Sequence, residues 1–243
     1  MSCSLKNQTA LLIVCGLALT TLGAGAQDKK AETPDDEKTQ LNRALKEAAG
    51  LGKVAEVAEL IKKGADVQWR DPKDNGKTPL VKSILFGRLP VVKFLLDHGA
   101  DIHYPDGSDR YPVYFCHPHR EKDKAIELLK YVLSRGGDKD LNREPGMLVS
   151  LCDHEMGPPE LIPILVEAGA NPNLIFKQKQ VTPLIAAIQA KHPEFRHGYV
   201  KTLIENKADV NFKDKRGVTP LQWAKKIGDQ ELIDMLEKAG AKN

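Results

Sequence analysis

Residues 76–101 read GKTPLVKSILFGRLPVVKFLLDHGAD, and this stretch decides the fold. Thr78 predicts a helix N-cap, and Pro79 fits the first helical position, where its missing N–H is not needed. Four apolar residues between 91 and 96 form one face at helical spacing. Gly99 then suits a left-handed cap at the end of that helix. The stretch therefore predicts two short helices followed by a turn.

Both phrases of this stretch recur along the chain. Gly-Ala-Asp or a close variant begins at residues 64, 99, 136, 169, 207 and 240, at intervals of 33 to 38 residues. Thr-Pro-Leu begins at residues 78, 182 and 219, and Tyr-Pro-Val at 111 is a weaker copy. A single helix pair is too small to bury its own apolar face, so a repeat of this period is typical of a stacked solenoid.

With the two phrases in register, residues 41–243 resemble the ankyrin-repeat family. The resemblance implies an all-α solenoid of about six helix-pair repeats, joined by short β-hairpin-like connections. The third and fourth repeats depart from the pattern. The third carries about four extra residues before an apolar outer helix at 126–133, and in the fourth residues 147–152 take the place of the inner helix. These irregularities have two interpretations that stay open: drift in a tolerant scaffold, or insertions that carry function.

The first 26 residues have the pattern of a cleavable signal peptide. Lys6 precedes an apolar run at 10–22, and Ala-Gly-Ala at 24–26 predicts cleavage after Ala26. A membrane anchor is disfavoured, because the run is shorter than the roughly 20 residues that a spanning helix needs. We expect a polar segment with a helix start at 27–40, the repeat domain at 41–243 and no membrane span after cleavage. The absence of an Asn-x-Ser/Thr sequon after cleavage favours the bacterial periplasm.

Composition and motifs exclude several functional classes. The formal net charge of +3 is too small to indicate a nucleic-acid partner. The chain contains no nucleophile elbow, no glycine-rich phosphate loop and no His-Glu-x-x-His motif. We therefore predict a protein that is not an enzyme, with no catalytic residues and no cofactor.

Two cysteines remain after the predicted cleavage, Cys116 and Cys152. They fall near equivalent inner-helix positions of adjacent repeats, and an oxidising compartment would favour a disulfide between them. The alternative is two buried thiols packed as small apolar side chains, and the sequence does not decide between them. The nearby His117, His119 and His154 match no standard zinc spacing, so we predict no metal site.

A row of large apolar residues lies five positions after the start of each internal Gly-Ala-Asp phrase. We call it the hairpin row: Trp69, Tyr104, Leu141, Leu174 and Phe212. The family resemblance places these positions in the connections that, with the inner helices, form a concave binding surface. The alternative is that the side chains only pack against one another between connections. Our candidate partner-binding residues are Trp69, Arg70, Tyr104, Tyr114, Phe176, Lys177, Phe212 and Lys215.

These features predict a periplasmic protein that acts by stoichiometric binding of another protein and is monomeric when free. The sharpest hypothesis is an immunity protein that neutralises a secreted antibacterial toxin, for example a lipase. The alternative is an accessory factor for a periplasmic redox or haem enzyme such as a catalase, suggested only by the neighbouring Cys and His residues. A metal-dependent enzyme is disfavoured. The sequence does not name the partner.

Overall fold

The computed structural model describes residues 36–116, 122–153 and 157–242. The predicted signal peptide and its cleavage site therefore lie outside the described residues, as do His117, His119 and His154. The described ranges contain eleven α-helices: α1 Glu37–Leu51, α2 Val54–Lys62, α3 Pro79–Leu85, α4 Leu89–Asp97, α5 Lys122–Ser134, α6 Met147–Asp153, α7 Leu161–Glu167, α8 Pro183–Ile188, α9 Pro193–Glu205, α10 Pro220–Ile227 and α11 Gln230–Lys238. Two 3₁₀ helices lie at Pro112–Phe115 and Gly137–Asp140.

The helices form six consecutive pairs, which confirms the predicted solenoid. The inner elements α1, α3, Pro112–Phe115, α6, α8 and α10 contact one another in chain order, and each precedes an outer helix. The described residues form no β-sheet, and only two isolated bridges occur, Asp71 with Lys77 and Phe176 with Val181. The regular secondary structure of the described residues is therefore helical, with a β-bridge in two of the connections.

The Thr-Pro-Leu phrases begin inner helices in the way that the sequence predicts. Thr78, Thr182 and Thr219 each accept a hydrogen bond at the side-chain oxygen from the N–H three residues later. Proline follows each threonine at the first helical position, where no intrahelical N–H is needed. An N-cap of this kind contributes about 1 kcal/mol. Each phrase therefore sets the start of one inner helix.

The core is a continuous apolar cluster that runs through the whole stack, from Leu45 in α1 to Leu236 in α11. The apolar face predicted for α4 is buried, with Val91, Val92 and Leu95 at 0% exposure. Full burial of such a side chain contributes about 1.5–3 kcal/mol. Because the burial is shared between neighbouring pairs, each repeat depends on the next one for its stability.

The irregular third and fourth repeats keep their places in the stack with altered elements. Pro112–Phe115 is a short 3₁₀ helix where the other repeats have an inner α-helix. The predicted inner helix of the fourth repeat is present as α6, and all of its residues from Met147 to Cys152 are buried. Pro163 lies in the first turn of α7, where a proline disturbs few intrahelical bonds.

Side-chain amides tie most of the connections to the next one. In four places, the side-chain oxygen of an Asn or Gln accepts a hydrogen bond from a backbone N–H of the next repeat, at 2.7–3.1 Å. The donor is the residue that follows Gly-Ala or its variant. The pairs are Gln68 with Asp101, Asn142 with Asn171, Asn173 with Asp209, and Asn211 with Lys242. Each of the three asparagines also donates to a carbonyl of the next repeat, those of Gly169, Lys207 and Gly240. The connections are thereby held in a fixed series along one edge of the stack.

The first two connections are also joined through their backbones. The N–H of Gly107 donates to the carbonyl of Asn75 at 2.7 Å, and the Asn75 side chain donates to Ser108 at 2.9 Å. A Cβ atom at Gly107 would lie 2.8 Å from that same carbonyl oxygen. The close approach therefore requires a residue without a side chain.

We expect Gly107→Ala to lower the free energy of unfolding by about 1–3 kcal/mol, because the new methyl group would push two backbones apart. Urea unfolding measures the change. Gly50→Ala is the matched control, because its Cβ would meet side chains and no backbone: Lys82 Cγ at 3.0 Å and the exposed Phe86 ring at 3.5 Å. Gly50 lies within α1, so the control should be neutral or stabilising by up to about 1 kcal/mol. Equal destabilisation by the two changes would contradict the proposed steric cause.

Candidate functional site

The members of the hairpin row share one backbone position in their connections. The N–H of four members donates to the carbonyl of the third residue of the preceding phrase at 3.1–3.4 Å: Trp69 to Asp66, Tyr104 to Asp101, Leu141 to Asp138, and Leu174 to Asn171. The side chain of that third residue also caps the turn in four of the repeats. Its oxygen accepts a hydrogen bond from the backbone N–H two residues later, at Asp66, Asp101, Asn171 and Asp209. The sequence spacing therefore identified equivalent positions.

The exposure of the hairpin row differs along the stack. Trp69, Tyr104, Leu174 and Phe212 are half-buried, so part of each side chain faces the surface. Leu141 is 1% exposed and belongs to the core, which decides its two interpretations in favour of packing. Leu174 fills the space beside Gly146, where a Cβ would lie 2.2 Å from Leu174 Cδ2. The surface part of the row thus consists mainly of three aromatic residues.

Two of these aromatic rings are contacted by arginines from earlier in the chain. The Arg43 guanidinium lies 6.0 Å from the centre of the Trp69 ring, and that of Arg70 lies 5.3 Å from the centre of the Tyr104 ring. Exposed cation–π contacts of this kind contribute about 0.5–1 kcal/mol. They orient the predicted residues Trp69, Arg70 and Tyr104 as one connected surface of cationic and aromatic groups. Such a surface is suited to bind a protein and brings together no reacting groups.

Tyr114, predicted to contact a partner, is instead a core residue. Its side chain is 2% exposed, and its hydroxyl donates to the carbonyls of Asp140, at 3.2 Å, and Arg143. Burial raises the pKa of the phenol. The equivalent residues of two regular inner helices, Val81 and Ile185, are also 0% exposed, so this position of the repeat faces the core and not a partner.

A buried ionic network underlies the first connection, next to Trp69. Lys46 in α1 is 3% exposed at its side chain, and its Nζ lies 2.5 Å from Asp71 Oδ2 and 3.1 Å from Asp74 Oδ2. Asp74 also accepts Lys77 at 2.6 Å and Lys82 at 3.2 Å. A charge as buried as that of Lys46 requires such partners. The network therefore joins α1, α3 and the first connection.

The pKa values of this network follow from the balance between burial and pairing. Burial raises the pKa of Asp74, but hydrogen bonds from Lys77, Lys46 and Lys82 outweigh it and hold the pKa well below its ordinary value. For Lys46, burial lowers the pKa, and the hydrogen bonds to Asp71 and Asp74 outweigh burial and raise it. Both shifts favour the ionised pair in the folded state.

The predicted residues of the last two connections lie at or near the surface. Phe176 is half-buried and pairs with Val181, its N–H donating to the Val181 carbonyl at 2.9 Å. Lys177 and Lys215 are exposed, and Phe212 is half-buried between them in the chain. Phe176 lies at the position that Asp71 occupies in the first connection. At the equivalent position of other connections an aspartate carboxylate caps the turn. This connection is thus apolar at its base and cationic at its tip.

Sequence reasoning missed two surface aromatic residues on inner helices. Two cations lie over the Trp223 ring, Arg216 Cζ at 4.7 Å and Lys226 Nζ at 5.1 Å from its centre, and its Nε1 donates to Asp214 at 3.0 Å. Phe86, which ends α3, is 47% exposed. The position of Trp223, soon after a Thr-Pro-Leu phrase, could have identified it as a residue at the start of an inner helix. For Phe86, the sequence pattern contained no signal that separated it from a core residue.

The two cysteines are free in this structure, so the disulfide considered from the sequence is not formed. Cys116 and Cys152 are both 0% exposed. Burial raises the pKa of both thiols, which keeps them protonated at neutral pH. They pack as small apolar side chains, which was the alternative interpretation.

Two histidines of the described ranges pair with aspartates and do not form a metal site. Among the residues of those ranges, no group of three or more His, Cys, Asp and Glu side chains is placed to hold a metal ion. His103 Nδ1 lies 2.6 Å from the buried Asp140 Oδ2, and His197 Nε2 lies 2.8 Å from Asp229 Oδ2. Both pairs join neighbouring repeats and act in the packing of the stack.

The comparison with known families agrees with this architecture. A model described as ankyrin repeats in three copies matches residues 6–106 and 147–243, and a second, described as ankyrin repeats in many copies, matches residues 81–133. The chain belongs to the ankyrin-repeat family. Ankyrin repeats bind other proteins, and this fold is typically a scaffold without catalytic activity.

Ankyrin-repeat relatives of this chain range from much longer proteins to one of similar length. The ankyrin repeat and KH domain-containing protein mask-1 of Caenorhabditis elegans is 29% identical over 222 residues, covering 90% of this chain but only 8% of that protein. The putative ankyrin repeat protein YahD of Escherichia coli strain K12 is 28% identical over 200 residues, covering 80% of this chain and 94% of that protein.

A solved ankyrin-like structure also resembles the chain. It comes from the complex between a predatory endopeptidase of Bdellovibrio bacteriovorus and an immunity protein. The TM-score is 0.62 at 22% identity, covering 81% of this chain and 97% of that one. At this identity the likeness shows the fold alone. In the part of the chain that our structure describes, no helix is both long and apolar enough to cross a membrane.

We expect Asp74→Asn to lower the free energy of unfolding at neutral pH by about 2 kcal/mol, because three lysines lose a charged acceptor. The folded-state pKa of Asp74 lies below its ordinary value of 3.8, so its contribution is complete above that pH and is lost as the pH falls through the folded-state value. Asp74→Asn should therefore flatten the pH dependence of stability below about pH 4. The exposed Asp109→Asn is the control, and a loss of equal size there would contradict this cause.

We expect Tyr114→Phe to lower the free energy of unfolding by about 1–2 kcal/mol, since two buried carbonyls lose their donor. Thermal and urea unfolding measure it. Tyr111→Phe is the matched control, because Tyr111 is half-buried and accepts only one long bond, 3.3 Å from Arg143 Nη1. Partner binding should be unchanged in both variants, and its loss in folded Tyr114→Phe protein would restore the original prediction.

Proposed function

We propose that this protein is a periplasmic inhibitor that acts by stoichiometric binding, and specifically an immunity protein that neutralises a secreted antibacterial toxin such as a lipase. The observation that carries the proposal is the aromatic surface along one edge of a rigid stack. Trp69, Tyr104 and Phe212 are half-buried at equivalent positions, and hydrogen bonds between connections hold that edge in order. Large aromatic residues on a preorganised frame are the usual centres of tight protein interfaces.

The mechanism that this architecture supports is occlusion. The binding surface lies on connections whose backbones are fixed by bonds to the next repeat, so little ordering is needed on binding. An inhibitor needs only to cover the active surface of its target and remain bound. The complex of an endopeptidase with an immunity protein that contains a chain of the same fold supports this class of function, although it does not identify a toxin for this chain.

The proposal places the protein in the periplasm, as a monomer until it meets its target. Its support is the sequence pattern of residues 1–26, with an apolar run followed by Ala-Gly-Ala and cleavage after Ala26. A toxin that enters the periplasm can be neutralised only by an inhibitor in the same compartment. Export is therefore part of the function and can be tested with it.

We expect Trp69→Ala/Tyr104→Ala/Phe212→Ala to weaken capture of the periplasmic partner by about a hundredfold or more, because these residues are the proposed interface anchors. The protein is immobilised, periplasmic extract is passed over it, and the captured protein is identified and its affinity measured. The control truncates three half-buried side chains on outer helices, Phe94→Ala/Tyr131→Ala/Met235→Ala. Circular dichroism checks that both variants keep their helices.

A protection assay tests the immunity role itself. Cells that direct the captured toxin to their own periplasm should survive when they also express the full chain, and should die when residues 1–26 are removed from it. If no toxin is captured and deletion of the gene instead raises peroxide sensitivity, the immunity role is wrong and the accessory role for a redox enzyme replaces it. If the triple aromatic variant still captures the partner, the hairpin row is not the interface.

A further inference from the structure

The last two connections and α10 form a surface on which positive charge accumulates. We call it the cationic C-terminal surface and define it by Lys177, Lys179, Lys213, Lys215, Arg216 and Lys226, all of which are exposed. Residues 174–181 contain two lysines and no carboxylate, and residues 212–218 contain two lysines and an arginine against the single Asp214. The equivalent residues 104–111 contain two aspartates and one arginine. The positive charge is thus a local feature of one end of the stack.

The one carboxylate within these segments is committed to the fold. Asp214 is 8% exposed, and its Oδ1 accepts the N–H groups of Arg216 and Val218 at 2.8 and 3.0 Å. Its Oδ2 accepts Trp223 Nε1 at 3.0 Å. Burial raises the pKa of Asp214, but the hydrogen bonds from Val218, Arg216 and Trp223 outweigh burial and lower it. Asp214 therefore caps its turn and does not cover the exposed lysines.

Two other carboxylates border the surface on its N-terminal side. Asp153 Oδ2 lies 2.6 Å from Lys179 Nζ, and Glu144 Oε1 accepts the backbone N–H of Lys177 at 3.1 Å. Among the described residues, none of the ion pairs includes Lys177, Lys213 or Lys215. These three ammonium groups are therefore available to a partner without the loss of an internal pair.

Apolar side chains lie among these cations. Ile175 is 39% exposed, Phe176 and Phe212 are half-buried, and the Trp223 ring is contacted by Arg216 and Lys226. The amide of Asn173 joins the two connections through the Asp209 N–H at 2.7 Å and the Lys207 carbonyl at 3.1 Å. Cationic and aromatic groups therefore occur together on two connections that hydrogen bonds hold to one another.

We propose that the cationic C-terminal surface binds an acidic segment of the partner protein, in which Asp or Glu residues alternate with apolar side chains. This inference rests on the proposed protein-binding function and names the chemistry of the partner. Neighbouring helices in such a stack lie about 8–10 Å apart. The Debye length at physiological ionic strength is about 8 Å, so charges on the two connections reinforce one another. Unpaired lysines would attract carboxylates and speed association, and the rings would bury the apolar side chains.

A peptide titration tests this proposal without knowledge of the natural partner. The full-length protein is titrated with a labelled synthetic peptide that alternates glutamate and phenylalanine, and fluorescence anisotropy reports binding. A peptide that alternates lysine and phenylalanine is the control ligand. We expect only the glutamate peptide to bind, and we expect its affinity to fall steeply as salt is raised towards about 1 M, where the Debye length is about 3 Å.

Charge reversal locates the binding site on the protein. Lys177→Glu/Lys213→Glu/Lys215→Glu should weaken binding of the glutamate peptide by at least about tenfold. The matched control, Lys130→Glu/Lys201→Glu/Lys238→Glu, makes the same change in net charge at exposed sites on α5, α9 and α11, and should retain binding within about twofold. All of these lysines are exposed, so both variants are expected to fold. Equal weakening in both, or equal binding of the two peptides, overturns the proposal.

A vesicle assay distinguishes binding of an acidic protein segment from binding of an anionic membrane. If vesicles rich in phosphatidylglycerol bind the protein through Lys177, Lys213 and Lys215 while the glutamate peptide does not bind, the surface is a lipid contact and the proposal is wrong.

The captured natural partner distinguishes a failure of this proposal from a failure of the proposed function. A partner that is bound equally by the wild-type protein and by the reversal variant leaves the inhibitor role intact and overturns the acidic-segment proposal. An absent partner, together with specific binding of the glutamate peptide, overturns the inhibitor role alone.

Discussion

No helix pair in this protein can bury its apolar face by itself, and the rest of the structure follows from that constraint. The core is one cluster that passes through all six repeats, so each inner element between the two end repeats is covered by its neighbours on both sides. Even the shortened inner element at Pro112–Phe115 is retained and buried, because a gap there would expose the flanking repeats. Surface residues can therefore vary widely, provided that every repeat contributes apolar side chains to the core.

The connections combine rigidity with freedom to vary. Asparagine side chains fix the backbones of the later connections to one another, and buried aspartates such as Asp106 and Asp214 close the turns. Because these residues carry the conformation, the intervening side chains are free to be tryptophan, tyrosine, lysine or arginine. The stack thus separates the residues that hold the edge together from those available to a partner. Aromatic residues are spread along the edge, whereas positive charge accumulates near its C-terminal end.

Helix starts, repeat spacing and the position of the hairpin row could be predicted, because each depends on a few adjacent residues. Thr78 caps its own helix through an amide three residues away, which is a local geometry. The burial of Tyr114 could have been predicted, because the aligned residues Val81 and Ile185 are buried at the same position of the repeat, whereas that of Leu141 depends on neighbours in the next repeat. Of the cations at the Trp223 ring, Lys226 is a local neighbour three residues later on α10, whereas Arg216 is brought to the ring by the turn that precedes this helix.

The sequence by itself determined the family, the number of repeats and the order of helices, since periodic caps and apolar faces act within about ten residues of chain. Only the tertiary structure decided which members of the hairpin row reach the surface, and that Cys116 and Cys152 are buried free thiols. It also decided that Lys46 is a buried partner of Asp71 and Asp74 and not a solvated lysine. Burial is a property of the neighbours that stacking supplies, and those neighbours lie about one repeat away in the chain.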